Sequence, residues 1–118
     1  TRTGDPEVAR AKCKAALALD PTLAVGHNCV GVSYYFRERF EEALDAYNKS
    51  LEIDPSVGDT YYNIACLYTR SKPDIAMQYL TRAVANGFID EKTTQAWATD
   101  SDLDPLRARA DFKALIAP

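Results

Sequence analysis

Histidine is nearly absent from this chain: His27 is the only one among 118 residues. Most hydrolase and metal chemistries are thereby removed. Ser-His-Asp or Cys-His catalysis would have to run through His27, and nothing near it supports either. Cysteine is also sparse. Cys13, Cys29 and Cys66 are widely spaced, with no Cys-x-x-Cys pair. A zinc site or a disulfide framework needs more ligands at closer spacing, so buried thiols in a reducing compartment are expected. No apolar run approaches the roughly 18–20 residues that span a bilayer. The polar opening Thr1-Arg2-Thr3-Gly4-Asp5-Pro6 holds no signal-peptide core. It also holds no initiator Met, so a processed or excised chain is expected. There is no excess of basic charge either. Fourteen Lys+Arg against 17 Asp+Glu leave a net charge of −3, which argues against nucleic acid as a partner. Finally, no stretch alternates with period two for long enough to make a strand.

What remains is a globular balance, 47% hydrophobic and 26% charged, at the length of one domain. The pattern within it is a repeat. Leu19-Asp20-Pro21 returns as Ile53-Asp54-Pro55, 34 residues on. The same shift carries Val30-Gly31 onto Ile64-Ala65, Tyr34 onto Tyr68, His27 onto Tyr61 and Ala9 onto Ala43. A third copy follows with a shift of 33, taking Ala43 to Ala76, Tyr47 to Leu80 and Ser50 to Ala83. The residue lost between Tyr68 and Ala76 falls where a turn is expected. Repeats of this period mean stacked supersecondary units.

Each period reads as two helices, giving an all-α chain. Thr22–Phe36 and Ser56–Arg70 are predicted as first helices of pairs. Gly4–Leu19, Arg39–Ile53 and Pro73–Asn86 are predicted as second helices. Asp5-Pro6 supplies a start. Ser56-x-x-Asp59 and Ser71-x-x-Asp74 fit capping boxes, and Gly87 supplies a stop. The division expected is 1–87 for the repeats (4–21, 22–55, 56–87) and 88–118 for a C-terminal cap. In that cap, Asp90–Thr99 is expected to form a helix carrying Trp97. After a break at Asp100–Pro105, Leu106–Ile116 offers Leu106, Phe112, Leu115 and Ile116 as an apolar stripe. The other end begins with half a pair, so further repeats before Thr1, or another chain, are expected to cover it.

On each first helix, small and large residues share one face. His27, Val30, Gly31 and Tyr34 stand at i, i+3, i+4, i+7, as do Tyr61, Ile64, Ala65 and Tyr68. Small residues recur on the second helices at Ala9, Ala43 and Ala76, and at Ala16, Ser50 and Ala83. Small positions let helix axes approach while large neighbours fill the space beside them.

With His27, Val30, Gly31, Tyr34, Ala43, Tyr47, Ser50 and Pro55 in one copy, and Tyr61, Ile64, Ala65, Tyr68, Ala76, Leu80 and Ala83 in the next, the sequence resembles the tetratricopeptide-repeat family. The departures are His27 for an aromatic, Ser50 for Ala, and the deletion before Ala76. The tail, Asp102-Leu103-Asp104-Pro105-Leu106-Arg107 and then Phe112-Lys113-Ala114-Leu115, is similar to a segment often seen after the last repeat in that family. The resemblance implies an α-α superhelix, a solenoid of antiparallel helix pairs. It implies a concave groove, lined by the first helices, that binds segments of other proteins, and no enzymatic activity.

By that resemblance the groove stripe is Val25, Asn28, Val32, Tyr35 and Phe36, with Asp59, Tyr62, Cys66, Thr69 and Arg70 one repeat later. Asn63 joins them because it resembles an asparagine that some members use to hold a C-terminal carboxylate. That clamp also needs lysines, and the preceding helix has Asn28 and Val32, so the complete clamp is not expected. Packing against neighbouring helices competes with binding as the role of any apolar residue in this stripe. His27 is expected to pack, and Trp97 to plug the last hairpin. Asp90, Glu91, Asp100, Asp102 and Asp104 lack a calcium-loop pattern and read as capping and solvation.

The leading expectation is therefore a cytoplasmic protein-interaction module with a protein or peptide partner. It has no cofactor, metal, catalytic residue, nucleic-acid partner or membrane segment. The alternative is self-assembly into a homo-oligomer through the uncovered N-terminal helix.

Overall fold

A computed structural model describes residues 11, 13–15, 17–18, 20, 23–87 and 97–117. The expected start at Asp5-Pro6 and most of Asp90–Thr99 lie outside them. The described residues between 11 and 18 are helical. Then come α1 (Ala24–Phe36), α2 (Phe40–Ile53), α3 (Gly58–Tyr68) and α4 (Pro73–Ala85). A 3-10 segment, Ser101–Leu106, and α5 (Ala110–Ile116) close the chain. The fold is all-α, an array of antiparallel helix hairpins, with no strand among the described residues. None of the described helices is long and apolar enough to cross a membrane.

Two hairpins, α1 with α2 and α3 with α4, make the main contacts, and α2 and α3 join them. Gly31 shows why the first hairpin closes. A Cβ there would run into the Tyr47 ring and lie 3.1 Å from the Ala43 carbonyl oxygen. The side chain filling the space beside Gly31 is thus Tyr47 of α2, fully buried, rather than Tyr34 on its own helix. In the second hairpin Ala65, Ala76 and Leu80, all fully buried, occupy the equivalent positions. There the smaller Leu side chain leaves room for the Cβ of Ala65.

Ser50, the departure from Ala, has a physical reason. Its hydroxyl lies 3.1 Å from that of Thr60 on α3, and both residues are fully buried. The two hydroxyls satisfy each other across the joint between hairpins.

The capping boxes do not form. Asp54 accepts from the Ser56 amide at 3.0 Å and from its hydroxyl at 2.6 Å, which commits Ser56 to the turn before α3. The Ser56 hydroxyl bond, then the amide bond, hold the Asp54 carboxyl below its ordinary pKa. At α4 the cap position is Lys72, with Pro73 in the first turn and no side-chain cap bond. Asp74 instead reaches Arg109 of the tail at 2.8 Å. Gly87 has φ +82°, the left-handed conformation of a helix stop.

The expectation of three thiols is also overturned. Cys13 and Cys29 form a disulfide with Cα atoms 5.6 Å apart, tying the leading helical segment to α1. Cys66 is buried and not disulfide-bonded. Cysteine usage therefore no longer argues for a reducing compartment. Their separation of 16 residues matches no local motif. The pair meets only because the leading segment packs beside α1, where a Cβ on Gly26 would press on Leu17.

Candidate functional site

The predicted stripe divides into two fates. On α1, Val25 is 66% exposed, while Val32, Tyr35 and Phe36 are half-buried and Asn28 is buried. On and just after α3, Tyr62, Asn63, Cys66 and Thr69 are buried, and Asp59 and Arg70 are exposed. An open groove wall at Tyr62, Asn63, Cys66 and Thr69 is not what the structure presents: the chain's own tail packs on Tyr62 and Cys66, and Asn63 is turned to Asn28 of α1.

The covering is specific. The indole of Trp97 stacks on the Tyr62 ring with centroids 5.5 Å apart and planes 12° from parallel. The Tyr62 hydroxyl donates to Asp100 Oδ2. Asp100 also caps the 3-10 segment, accepting from the Asp102 amide at 2.9 Å. Leu103 and Leu106 are fully buried and join Trp97 and Phe112 in one cluster with Tyr62, Cys66 and Leu80.

Arg107 holds this tail in shape. Its guanidinium donates to the carbonyls of Trp97, Ala98 and Asp100 and to the Asp104 carboxylate. Arg109 bonds Asp111 at 2.9 Å and Asp74 at 2.8 Å, so the tail is also clipped to α4. The bond to Asp111 first, and then that to Asp74, raise the Arg109 pKa. The same Arg109 bond holds the Asp111 carboxyl below its ordinary value. The expected stripe Leu106–Ile116 is accordingly divided. Leu106 ends the 3-10 segment, a turn follows at 107–108, and α5 carries Phe112, Leu115 and Ile116.

Asn63 does not stand ready for a carboxylate. Its Nδ2 donates to Asn28 Oδ1 at 2.9 Å, joining α3 to α1 beneath the surface. An amide pair of this kind satisfies two buried polar groups at once. The Thr69 hydroxyl, just past the end of α3, donates back to the Cys66 carbonyl at 3.3 Å.

Four predicted residues do converge. Tyr35, Cys66, Thr69 and Arg70 line a cavity of about 300 Å³ at the edge where α1 and α3 end. Phe40, the first residue of α2, Asp102 of the tail, and Leu67 and Ser71 complete it. Val25, Asn28 and Asp59 lie elsewhere. Neither Phe40 nor Asp102 is marked by the repeat period. Phe40 opens the second helix of its pair, where the next copy has Pro73, and Asp102 belongs to the aperiodic tail.

Comparison with known proteins agrees with this architecture. Residues 24–57 match the family described as tetratricopeptide repeat. Over 74 residues the chain is 34% identical to Protein bimA of Emericella nidulans. The aligned stretch takes in 61% of this chain and 9% of that protein, so the chain spans under a tenth of the relative's length.

Proposed function

We propose that this chain, which belongs to the tetratricopeptide-repeat family, is a protein-interaction module that holds a partner segment on the open, α1 half of its concave stripe. Tetratricopeptide repeats generally mediate protein–protein interaction, and the family is non-catalytic. The observation that carries the reading is the contrast between the two halves. Val25, Val32, Tyr35 and Phe36 stay wholly or partly open, whereas on the α3 side Tyr62, Cys66 and Thr69 are buried, Tyr62 and Cys66 in one cluster with the tail. Partly open aromatic and aliphatic side chains on a rigid helix supply anchors at low entropic cost. On this reading Asn28, Tyr62, Asn63, Cys66 and Thr69 shape the wall from beneath. Asp59 and Arg70 stand at its rim.

The test is affinity capture of a partner, followed by calorimetry with the wild type, Val32→Asp, Phe36→Ala and the outer-surface variant Lys49→Glu. The reading expects the two stripe variants to weaken binding tenfold or more and Lys49→Glu to leave it unchanged. The reverse pattern overturns it.

A second reading, self-assembly, is favoured by Leu23 at 41% and Val25 at 66% exposure, two exposed apolar residues at the start of α1. Light scattering decides it: a monomer at high micromolar concentration excludes it.

A further inference from the structure

We propose that the cavity at the ends of α1 and α3 is a pocket for a large apolar or aromatic side chain of a protein segment that carries an Asp or Glu beside it. Phe40 and Tyr35 form its walls, and Arg70 takes the carboxylate. The inference deepens the interaction-module reading and rests on it.

The volume, about 300 Å³, is at the lower end of ligand pockets and accommodates one large side chain. The walls are aromatic. The Tyr35 and Phe40 rings lie 5.7 Å apart at 53°, and Phe36 braces Tyr35 edge-on at 6.2 Å. Phe40 is 49% exposed, although it opens a helix whose next two residues are Glu41 and Glu42. About half of its surface is therefore left accessible to a ligand. Beneath lie Cys66 and Thr69, with the Thr69 hydroxyl already turned to a backbone carbonyl.

Charge selects the occupant. Arg70 is exposed and makes no ion pair among the described residues. Arg37 and Lys72, in the two turns that follow α1 and α3, are equally unpaired there. Nearby acids are mostly committed: Glu42 to Arg39, Asp74 to Arg109 and Asp104 to Arg107. Glu38 and Glu41 are the exposed acids of the first turn. Asp102 is the acid that lines the cavity; it holds a contact within the chain, while its Oδ2 is buried without a hydrogen-bond partner. The cation that both lines the pocket and lacks an anion is Arg70, and a guanidinium fork fits a carboxylate.

The test is selection of binders from a random 12-residue phage library on the 118-residue chain, then anisotropy titration of the selected peptides. We expect an Asp or Glu within two positions of a Phe, Tyr, Trp or Leu. We expect Arg70→Glu, Phe40→Ala and Asp→Asn in the peptide each to weaken binding about tenfold, and Arg70→Lys about threefold. Arg70 and Phe40 are exposed, and an unchanged helical circular dichroism spectrum verifies folding. Selected peptides that lack acids, or that ignore both Arg70→Glu and Phe40→Ala, overturn the pocket. If such peptides are still lost on Val32→Asp, the interaction-module reading stands without it. If no peptide is selected, both fall.

Discussion

The α1/α2 hairpin and the α3/α4 hairpin repeat one pattern, yet their concave stripes end in different environments. Val32 and Tyr35 on the first stay half-open, while their counterparts Cys66 and Thr69 on the second are buried. Nothing in the stripes themselves makes this difference. It comes from the residues that follow, because Trp97, Leu103 and Leu106 need burial and the last first-helix is the surface available to them. One stripe stays partly open and much of its copy is core, with the tail packed over Tyr62 and Cys66.

The sharpest way to break the contrast is to remove the stacking indole. Trp97→Ala deletes a side chain only 2% exposed and should cost about 3–5 kcal/mol, read as a fall in thermal or denaturant midpoint. The tail should loosen and Tyr62 should become accessible, making the second stripe resemble the first. A loss under 1 kcal/mol would mean that the tail is not holding the hairpin.

Next is the close approach that distinguishes the two hairpins. Gly31→Ala forces a methyl against the Tyr47 ring and should cost about 1–3 kcal/mol. Ala65 already carries that methyl opposite Leu80. The double variant Gly31→Ala/Tyr47→Leu, which copies the second hairpin, should recover part of the loss in the same unfolding assay.

A smaller gain is expected at the turn after α1. Glu38 has φ +58°, the left-handed region that disfavours side chains with a Cβ. Glu38→Gly should stabilise by about 0.5–1 kcal/mol, less than the full strain because glycine loses more entropy on folding. A melting point that does not rise would refute the strain.

The least effect is electrostatic. Asp111 is held below its ordinary pKa by Arg109. Its contribution is therefore present at neutral pH and is lost as the pH falls through the ordinary Asp value of about 3.9 and then the depressed one. Comparing melting at pH 7 and pH 3, Asp111→Asn should lose less stability on acidification than the wild type. An equal loss would mean that the Arg109–Asp111 pair adds no stability.

Much of the fold was legible because a 34-residue period carries its own geometry. The small positions Gly31, Ala43, Ala65 and Ala76 mark where helices touch, and Gly87 marks a stop. Local chemistry was less readable. Ser56 and Asp74 have the spacing of caps, but Asp54 and Arg109 engage them instead. The Cys13–Cys29 disulfide and the Asn28–Asn63 pair join residues from different helices, so sequence spacing carries no sign of them. At the site, period alone identifies equivalent positions. It does not say which of them another part of the chain will cover. Phe40 and Asp102 were invisible because the period marks neither of them.

The most direct test is a two-dimensional nuclear Overhauser spectrum of the whole chain, in which the single tryptophan makes the assignment unambiguous. Cross-peaks between the ring protons of Trp97 and Tyr62, with no corresponding contact from the tail to Val32 or Phe36, are the predicted result. Absence of the Trp97–Tyr62 cross-peaks, with both rings accessible to solvent, would contradict the account.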